Sequence, residues 1–277
     1  MRIVHFSDIH ARARFQSLRS MLDKRLLGFW NYYIRRHRFQ DWRRVQWFVE
    51  QLEALKPDVV ICTGDVTSLG EPNEFELASE ALAPLVENPS FEFLYVPGNH
   101  DVYVRCHKSR AALESTFQYL NRDRWKLEAL PVRYQVNQLD FLLINQGCPA
   151  PLYGSFGAMD ASSLEWIERH FGNGSPEGER PLVLVNHFPM RNKHGEKLTW
   201  RRGCHGNEPL HDAWQAGQIQ MALCGHIHHP FKRQSGGGAL EVCAGSLTQT
   251  GTFSVVDFNP DTGEFCQSWH DVKPVLS

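Results

Sequence analysis

The sequence predicts an α/β fold with stacked sheets and helices on the outside, and two observations carry that expectation. Apolar runs of strand length recur along the chain. Most are nearly continuous in Val, Ile, Leu and Phe, as strands covered on both faces require. Segments with helical spacing alternate with these runs early, whereas the last third is mostly strands.

Taken in order, the strand-like runs are RIVHFS, DVVICTG, FEFLYVPG, FLLINQ, PLVLVNH, IQMALCG, ALEVCAG and GTFSVVDF. Between the first two, QDWRRVQWFVEQLEALK sets Val45, Phe48, Val49, Leu52 and Leu55 on one helical stripe, and Pro57 follows its end. NEFELASEALAPLVE opens on Asn73 as its N-cap. DASSLEWIERHFG has an Asp to cap its start and a Gly to stop it. GNGSPEGER, residues 172 to 180, reads as an exposed loop, and SGGG at 235 to 238 as a turn between two strands. With no repeat or low-complexity tract, residues 1 to 277 read as a single domain. A basic, apolar-rich insertion at residues 12 to 44 interrupts it.

The 277 residues are 42% hydrophobic and 22% charged, enough for a sizeable core. The net charge of −2 is not that of a nucleic-acid binder, but it is unevenly spread. Arg12 to Arg44 holds ten Lys and Arg against two Asp, a net of +8. The start, MRIVHFSDIH, reaches polar residues at once, so no signal peptide is expected. No run approaches the ~20 apolar residues of a spanning helix. The seven cysteines are scattered and never spaced CxxC, which argues for reduced thiols in the cytoplasm and against a Cys-rich zinc site.

The chemistry gathers where the apolar runs stop. They end in Asp8 and His10, in Asp65, in Asn99, His100 and Asp101, in His187, and in His226 and His228. The carboxyl ends of strands are where open α/β sheets bind ligands. Asp8/His10 and His226/His228 are i, i+2 pairs, which strand periodicity would point to one side. A mixed set of His, Asp and Asn suits Mn, Fe or Zn rather than an all-oxygen calcium site. Seven donors are too many for one tetrahedral ion. They suit two ions sharing a carboxylate, typically about 3.5–4 Å apart, an arrangement made for phosphoryl chemistry.

With those residues assembled, the sequence resembles the calcineurin-like metallophosphoesterases, whose motifs run DxH, GD, GNHD, a lone His and GHxH. Here they read DIH at 8 to 10, GD at 64 and 65, GNHD at 98 to 101, His187, and GHIH at 225 to 228. The resemblance implies a four-layer sandwich of two mixed β-sheets flanked by helices. It implies that Asp8, His10 and His228 hold one divalent ion, that Asn99, His187 and His226 hold the other, and that Asp65 bridges them. His100 would protonate the leaving oxygen or steady its charge, with Asp101 orienting it. The implied activity is hydrolysis of a phosphodiester or pyrophosphate bond.

The insertion bears on the substrate. Its segment SLRSMLDKRLLGFWNYYIRRHRF interleaves aromatic and aliphatic residues with Lys and Arg, as a contact with an anionic membrane or an acylated phosphate would. It also resembles a segment of bacterial relatives of one UDP-2,3-diacylglucosamine pyrophosphatase. That implies a lipid-linked nucleotide sugar met at the inner face of the membrane. An ordinary helical hairpin packed on the domain accounts for the same composition. The alternatives are a cyclic-nucleotide phosphodiesterase and a catalytically inert scaffold with this fold. A nuclease fits poorly, because the chain outside the insertion is acidic. Arg201 and Arg202 in TWRRGCHG are candidate phosphate contacts, and His5, inside the first strand, reads as a hydrogen-bonded core residue.

Overall fold

A computed structural model describes residues 1–12, 40–151, 154–172 and 180–274. Most of the 12 to 44 insertion and the centre of the 172 to 180 loop lie outside the described residues.

All eight apolar runs are strands. β1 (Arg2–Phe6), β2 (Val59–Cys62) and β3 (Glu92–Tyr95) pair in parallel, and β1 also pairs antiparallel with β12 (Thr252–Asn259). Adding β13 (Glu264–Asp271) gives a five-stranded sheet in the order β13-β12-β1-β2-β3. The second sheet has six strands in the order β10-β11-β9-β7-β5-β4. Its parallel centre is β5 (Leu139–Leu143), β7 (Leu182–Val185), β9 (Met221–Cys224) and β11 (Leu240–Cys243). Antiparallel β4 (Val132–Val136) and β10 (Phe231–Gln234) close its two edges. Two-residue strands β6 (Gly157–Ala158) and β8 (Cys204–His205) pair separately.

Side-chain alternation explains the layering. On β7, Val183 and Val185 join the large cluster that also holds Ile3, Val4, Phe6 and Phe93 of the first sheet, while Leu182 and Leu184 face a second cluster built around Trp214. Three helices pack on the first cluster: α1 (Arg43–Leu55), α2 (Pro72–Val86) and α3 (His107–Leu120). α4 (Ala161–Phe171) and α5 (Glu208–Gln215) cover the second. The layers are therefore helix, sheet, sheet and helix. The stripe on α1 is buried at Val45, Phe48 and Leu52, with the Phe48 ring 4.8 Å from Phe6. On α4, Asp160 caps the start by accepting from Ser163 N at 2.7 Å.

Two differences from the sequence expectation have physical causes. The N-cap of α2 is Glu71, not Asn73. Pro72 fills the first helical position and Glu74 closes a capping box back onto Glu71, so Asn73 lies inside the helix. In the two large sheets, the strands with no continuous apolar run to betray them, β4, β10 and β13, all lie at sheet edges. The burial pattern of β13 alternates between exposed and half-buried, since one face and one edge meet water.

Candidate metal centre

The donors sit where the two sheets' parallel strands end, but not on the strands themselves. β1 stops at Phe6 and β9 at Cys224, before either i, i+2 pair begins. Asp8, His10, His226 and His228 instead adopt left-handed backbone, with φ of 57°, 50°, 70° and 62°, and Asp65 joins them at 54°. Strand periodicity is thus not what brings each pair together. Loops wound against their preference do so, at a cost of about 1–3 kcal/mol per residue.

Glycine makes the approach possible. A Cβ on Gly98 would lie 2.2 Å from Asp65 Oδ1 and 2.7 Å from His187 Cε1. On Gly225 it would lie 1.9 Å from Ser7 Oγ and 2.5 Å from Asp8 Oδ2. The glycines of GNHD and GHIH therefore hold motif loops in contact with one another.

Each imidazole has one nitrogen committed and one presented. His10 Nδ1 donates to the Thr67 carbonyl at 3.2 Å, and His228 Nδ1 to Gln249 Oε1 at 2.8 Å. Their Nε2 lone pairs then face each other at 3.0 Å, with Asp8 Oδ1 3.6 Å from one and 3.1 Å from the other. His187 Nδ1 donates to the Thr63 carbonyl at 2.6 Å, which leaves its Nε2 3.4 Å from Asp65 Oδ2 and 3.2 Å from Asn99 Oδ1. His226 Nε2 donates to the Arg202 carbonyl at 2.8 Å, so its Nδ1 meets Asn99 Oδ1 at 2.9 Å. Lone pair against lone pair is repulsive. It becomes favourable once a cation lies between them.

The carboxylates support the same conclusion. Asp8 Oδ1 and Asp65 Oδ2 are buried without a hydrogen-bond partner, a costly arrangement that a cation would relieve. Burial pushes the Asp8 carboxyl up, but His10 and His228 pull it well below its usual range. For His187 burial also opposes the charge, yet Asp65 draws the ring up to about 10, so cation binding there displaces a proton. His226 is pushed down to about 3 by burial and by His187, leaving it a neutral donor. Two groups of donor atoms result, each within 4.8 Å of one another: Asp8, His10, Asp65 and His228, and Asp65, His187 and His226. Asp65 belongs to both. The residues fit two divalent ions with a shared carboxylate.

His100 is half-buried beside this centre, its ring 4.9 Å from that of His10 and stacked at 5.4 Å on Tyr103. Its Nδ1 donates to the Ser68 carbonyl at 2.6 Å. That corrects the role expected for Asp101. The Asp101 carboxylate accepts from Thr67 N at 2.9 Å, Thr67 Oγ1 at 3.0 Å, Tyr95 OH at 2.9 Å and Gly98 N at 2.9 Å, which ties down the loops on either side rather than the His100 ring. Burial, and then Asp65, raise its carboxyl above the ordinary range, against those four donors.

Arg201 and Arg202 lie on a loop that touches the centre. Both side chains are exposed, Arg201 lying 5.3 Å over the Trp200 ring, and Arg202 serves the centre through its carbonyl. His5 is the buried core residue expected, its Nε2 2.9 Å from Thr63 Oγ1. Ser68, Thr67, Gln249 and Tyr103 carried no signal in the sequence. They are uncharged and serve through a carbonyl, an amide or a ring face.

Comparison with known proteins agrees with this geometry. Over 216 residues the chain is 24% identical to a 3′,5′-cyclic-nucleotide phosphodiesterase of Nostoc sp., covering 75% of this chain and 71% of that one. It is 29% identical over 175 residues to a probable glycerophosphodiester phosphodiesterase of Arcobacter nitrofigilis, covering 62% of this chain but only 57% of the relative. The crystal structure of a dimetal phosphatase from Danio rerio superposes with a TM-score of 0.68 at 12% identity, covering 98% of this chain and 96% of that one. The family model described as calcineurin-like phosphoesterase matches residues 1–230, and the chain, with its two mixed sheets and its shared-aspartate donor set, belongs to that family.

Proposed function

We propose that the chain is a dimetal-dependent phosphodiesterase acting on small phosphate diesters. One observation carries the reading: the Nε2 lone pairs of His10 and His228 oppose each other at 3.0 Å beside the unpartnered Oδ1 of Asp8. A cation between them would satisfy all three groups at once. Asp8, His10 and His228 would hold one ion, Asn99, His187 and His226 the other, and Asp65 would serve both. Two divalent ions, when bound, activate a water and neutralise charge on the phosphoryl oxygens; Mn, Fe and Zn all suit these donors. His100 is the acid. The Ser68 carbonyl fixes Nδ1–H, which stabilises the protonated ring and leaves Nε2 to give its proton to the departing oxygen. Asp101 is a positioning residue, holding Gly98 and Thr67 and through them the loop that carries His100.

Small diesters are favoured because the relatives reported above are named for cyclic nucleotides and glycerophosphodiesters. The acylated nucleotide sugar and the contact with the inner membrane face rest on residues 12 to 44, mostly outside the described residues, and those names give them no support. No helix among the described residues is long and apolar enough to cross a membrane. An inert scaffold would have no use for an intact donor set with left-handed backbone at five of its positions.

The test is a panel assay of the Mn-loaded protein with bis(p-nitrophenyl) phosphate, cyclic AMP, a glycerophosphodiester, p-nitrophenyl phosphate and UDP-2,3-diacylglucosamine. The expected result is faster turnover of diesters than of the monoester, abolished by chelation and restored by Mn. Turnover indifferent to chelation, or none in the loaded protein, overturns the proposal. A clear first rank for the lipid substrate overturns the small-diester part.

A further inference from the structure

Beside the metal centre lies a pocket that the donor set does not use. Its walls include Met190, Arg191, Lys197, Trp200, Asn207 and Glu208. Two ties place it there. Met190 and Arg191 follow His187 by three and four residues, and Gly203, also in the wall, follows the Arg202 whose carbonyl fixes His226 at 2.8 Å.

Arg191 is the unusual member. It is only 8% exposed, yet its one hydrogen bond runs from Nη1 to the neighbouring Met190 carbonyl at 2.8 Å. Among the described residues no carboxylate lies within ion-pair distance of it. Two carboxylates feel its charge and both are committed elsewhere: Glu208 to Lys197 at 2.9 Å, and fully buried Glu241, which takes Arg233 Nε at 2.8 Å through Oε2 and Met190 N at 2.6 Å through Oε1. With one hydrogen bond, to a neighbouring carbonyl, the guanidinium keeps donors for an anion that enters the pocket. Lys197, 2.9 Å from Glu208, offsets that acid, so the wall keeps the positive charge of Arg191. At the same pocket stands the Trp200 ring, 57% exposed, more than any other large apolar side chain described. An open aromatic face beside a buried cation matches a ligand that is flat at one end and anionic at the other.

We propose that this pocket binds a nucleoside monophosphate moiety of the substrate, its phosphate on Arg191 and its base against Trp200. The inference rests on the phosphodiesterase reading and narrows it. The substrate is then a nucleotide-bearing diester other than a cyclic mononucleotide, whose scissile phosphoryl group reaches the metal centre while a second one is held by Arg191. It also replaces Arg201 and Arg202 with Arg191 as the phosphate contact.

The experiment uses the full chain stripped of metal by chelation, so that binding at the centre does not mask the pocket. Adenosine 5′-monophosphate, adenosine and inorganic phosphate are titrated by calorimetry and tryptophan fluorescence. The nucleotide is expected to bind and quench. Arg191→Gln should weaken nucleotide and phosphate by roughly tenfold or more while leaving adenosine unchanged, with partial recovery in Arg191→Lys. Trp200→Ala should weaken nucleotide and adenosine, remove most of the quench, and leave phosphate unchanged. Thermal melts check the fold. Should Arg191→Gln fail to fold, the exposed Trp200→Ala variant decides alone. Unchanged nucleotide affinity in the folded variants overturns the proposal, as does nucleotide binding that Asp65→Ala removes and Arg191→Gln does not. Because no metal is present, this result is independent of the panel assay. Mn-dependent turnover without Arg191-dependent binding sinks the pocket alone, and binding without turnover sinks the phosphodiesterase reading alone.

Discussion

The two halves of the metal centre are built by different means. Asp8, His10 and His228 all carry left-handed backbone, and one of their supports is a side chain, the Gln249 amide on His228. In the other half only His226 carries positive φ, and the imidazoles are fixed by main-chain carbonyls, Thr63 for His187 and Arg202 for His226. The His228 side chain is 14% exposed and that of His187 not at all. One half therefore leans in part on a replaceable side-chain amide, whereas the imidazoles of the other rest on main-chain carbonyls alone. The carbonyl-held, buried half should hold its ion more tightly, and the half with the Gln249 support should be the one that exchanges.

Removing what the halves share gives the largest effect. Asp65→Ala is expected to lose both ions and all measurable turnover, read by metal analysis and a chromogenic diester assay. Retention of one tightly held ion would show that Asp65 belongs to a single half. His100→Ala comes next. Turnover should fall by about 10²–10⁴-fold, as for loss of a general acid, with metal content unchanged. Loss of both ions in that variant would make His100 a structural support of the centre rather than its acid.

The asymmetry itself is tested by Gln249→Ala. Removing the partner of a ligating histidine typically lowers metal affinity by about 10–100-fold. Here the loss should fall on one ion, with the second bound as before, which a two-step metal titration resolves. Equal weakening of both sites would break the distinction between the halves.

How much of this was legible in the sequence follows from what each residue does. The donors were legible because their types are chemically specific and each follows an apolar run. The eight strands of the apolar runs were legible because burial on both faces demands continuous apolar residues. The edge strands β4, β10 and β13 lacked that demand. The geometry of the i, i+2 pairs was misread as strand alternation, since left-handed backbone at Asp8 or His228 leaves no compositional trace. Asp101 was placed on His100 because they are adjacent in sequence, but its carboxylate turns to Tyr95, Thr67 and Gly98, which a one-dimensional reading does not bring together. Arg191 leaves no trace for the opposite reason. A lone arginine four residues past His187 looks like surface, and only its burial marks it.

The smallest expected effect concerns the support beneath His100. Ser68, which holds the ring, begins a turn whose Leu69 N donates to Glu74 Oε2 at 2.8 Å, with Glu71 N at 3.3 Å from the same oxygen. Burial raises the Glu74 carboxyl to about 8, even though those N–H groups favour its charge. The folded chain thus holds a proton there that the unfolded chain releases near its ordinary value of 4.5. Between those limits the folded state binds more protons than the unfolded one, so this group's contribution is full below about pH 4.5 and declines as pH rises towards about 8. Glu74→Gln keeps the shape and an acceptor oxygen while removing the titration. Its stability, measured by urea unfolding from pH 5 to 8, should fall less with rising pH than that of the parent chain, and its metal content should not change. Parallel stability profiles for the two proteins would show that Glu74 ionises in the folded state as freely as in water, and that the turn under His100 owes nothing to its proton.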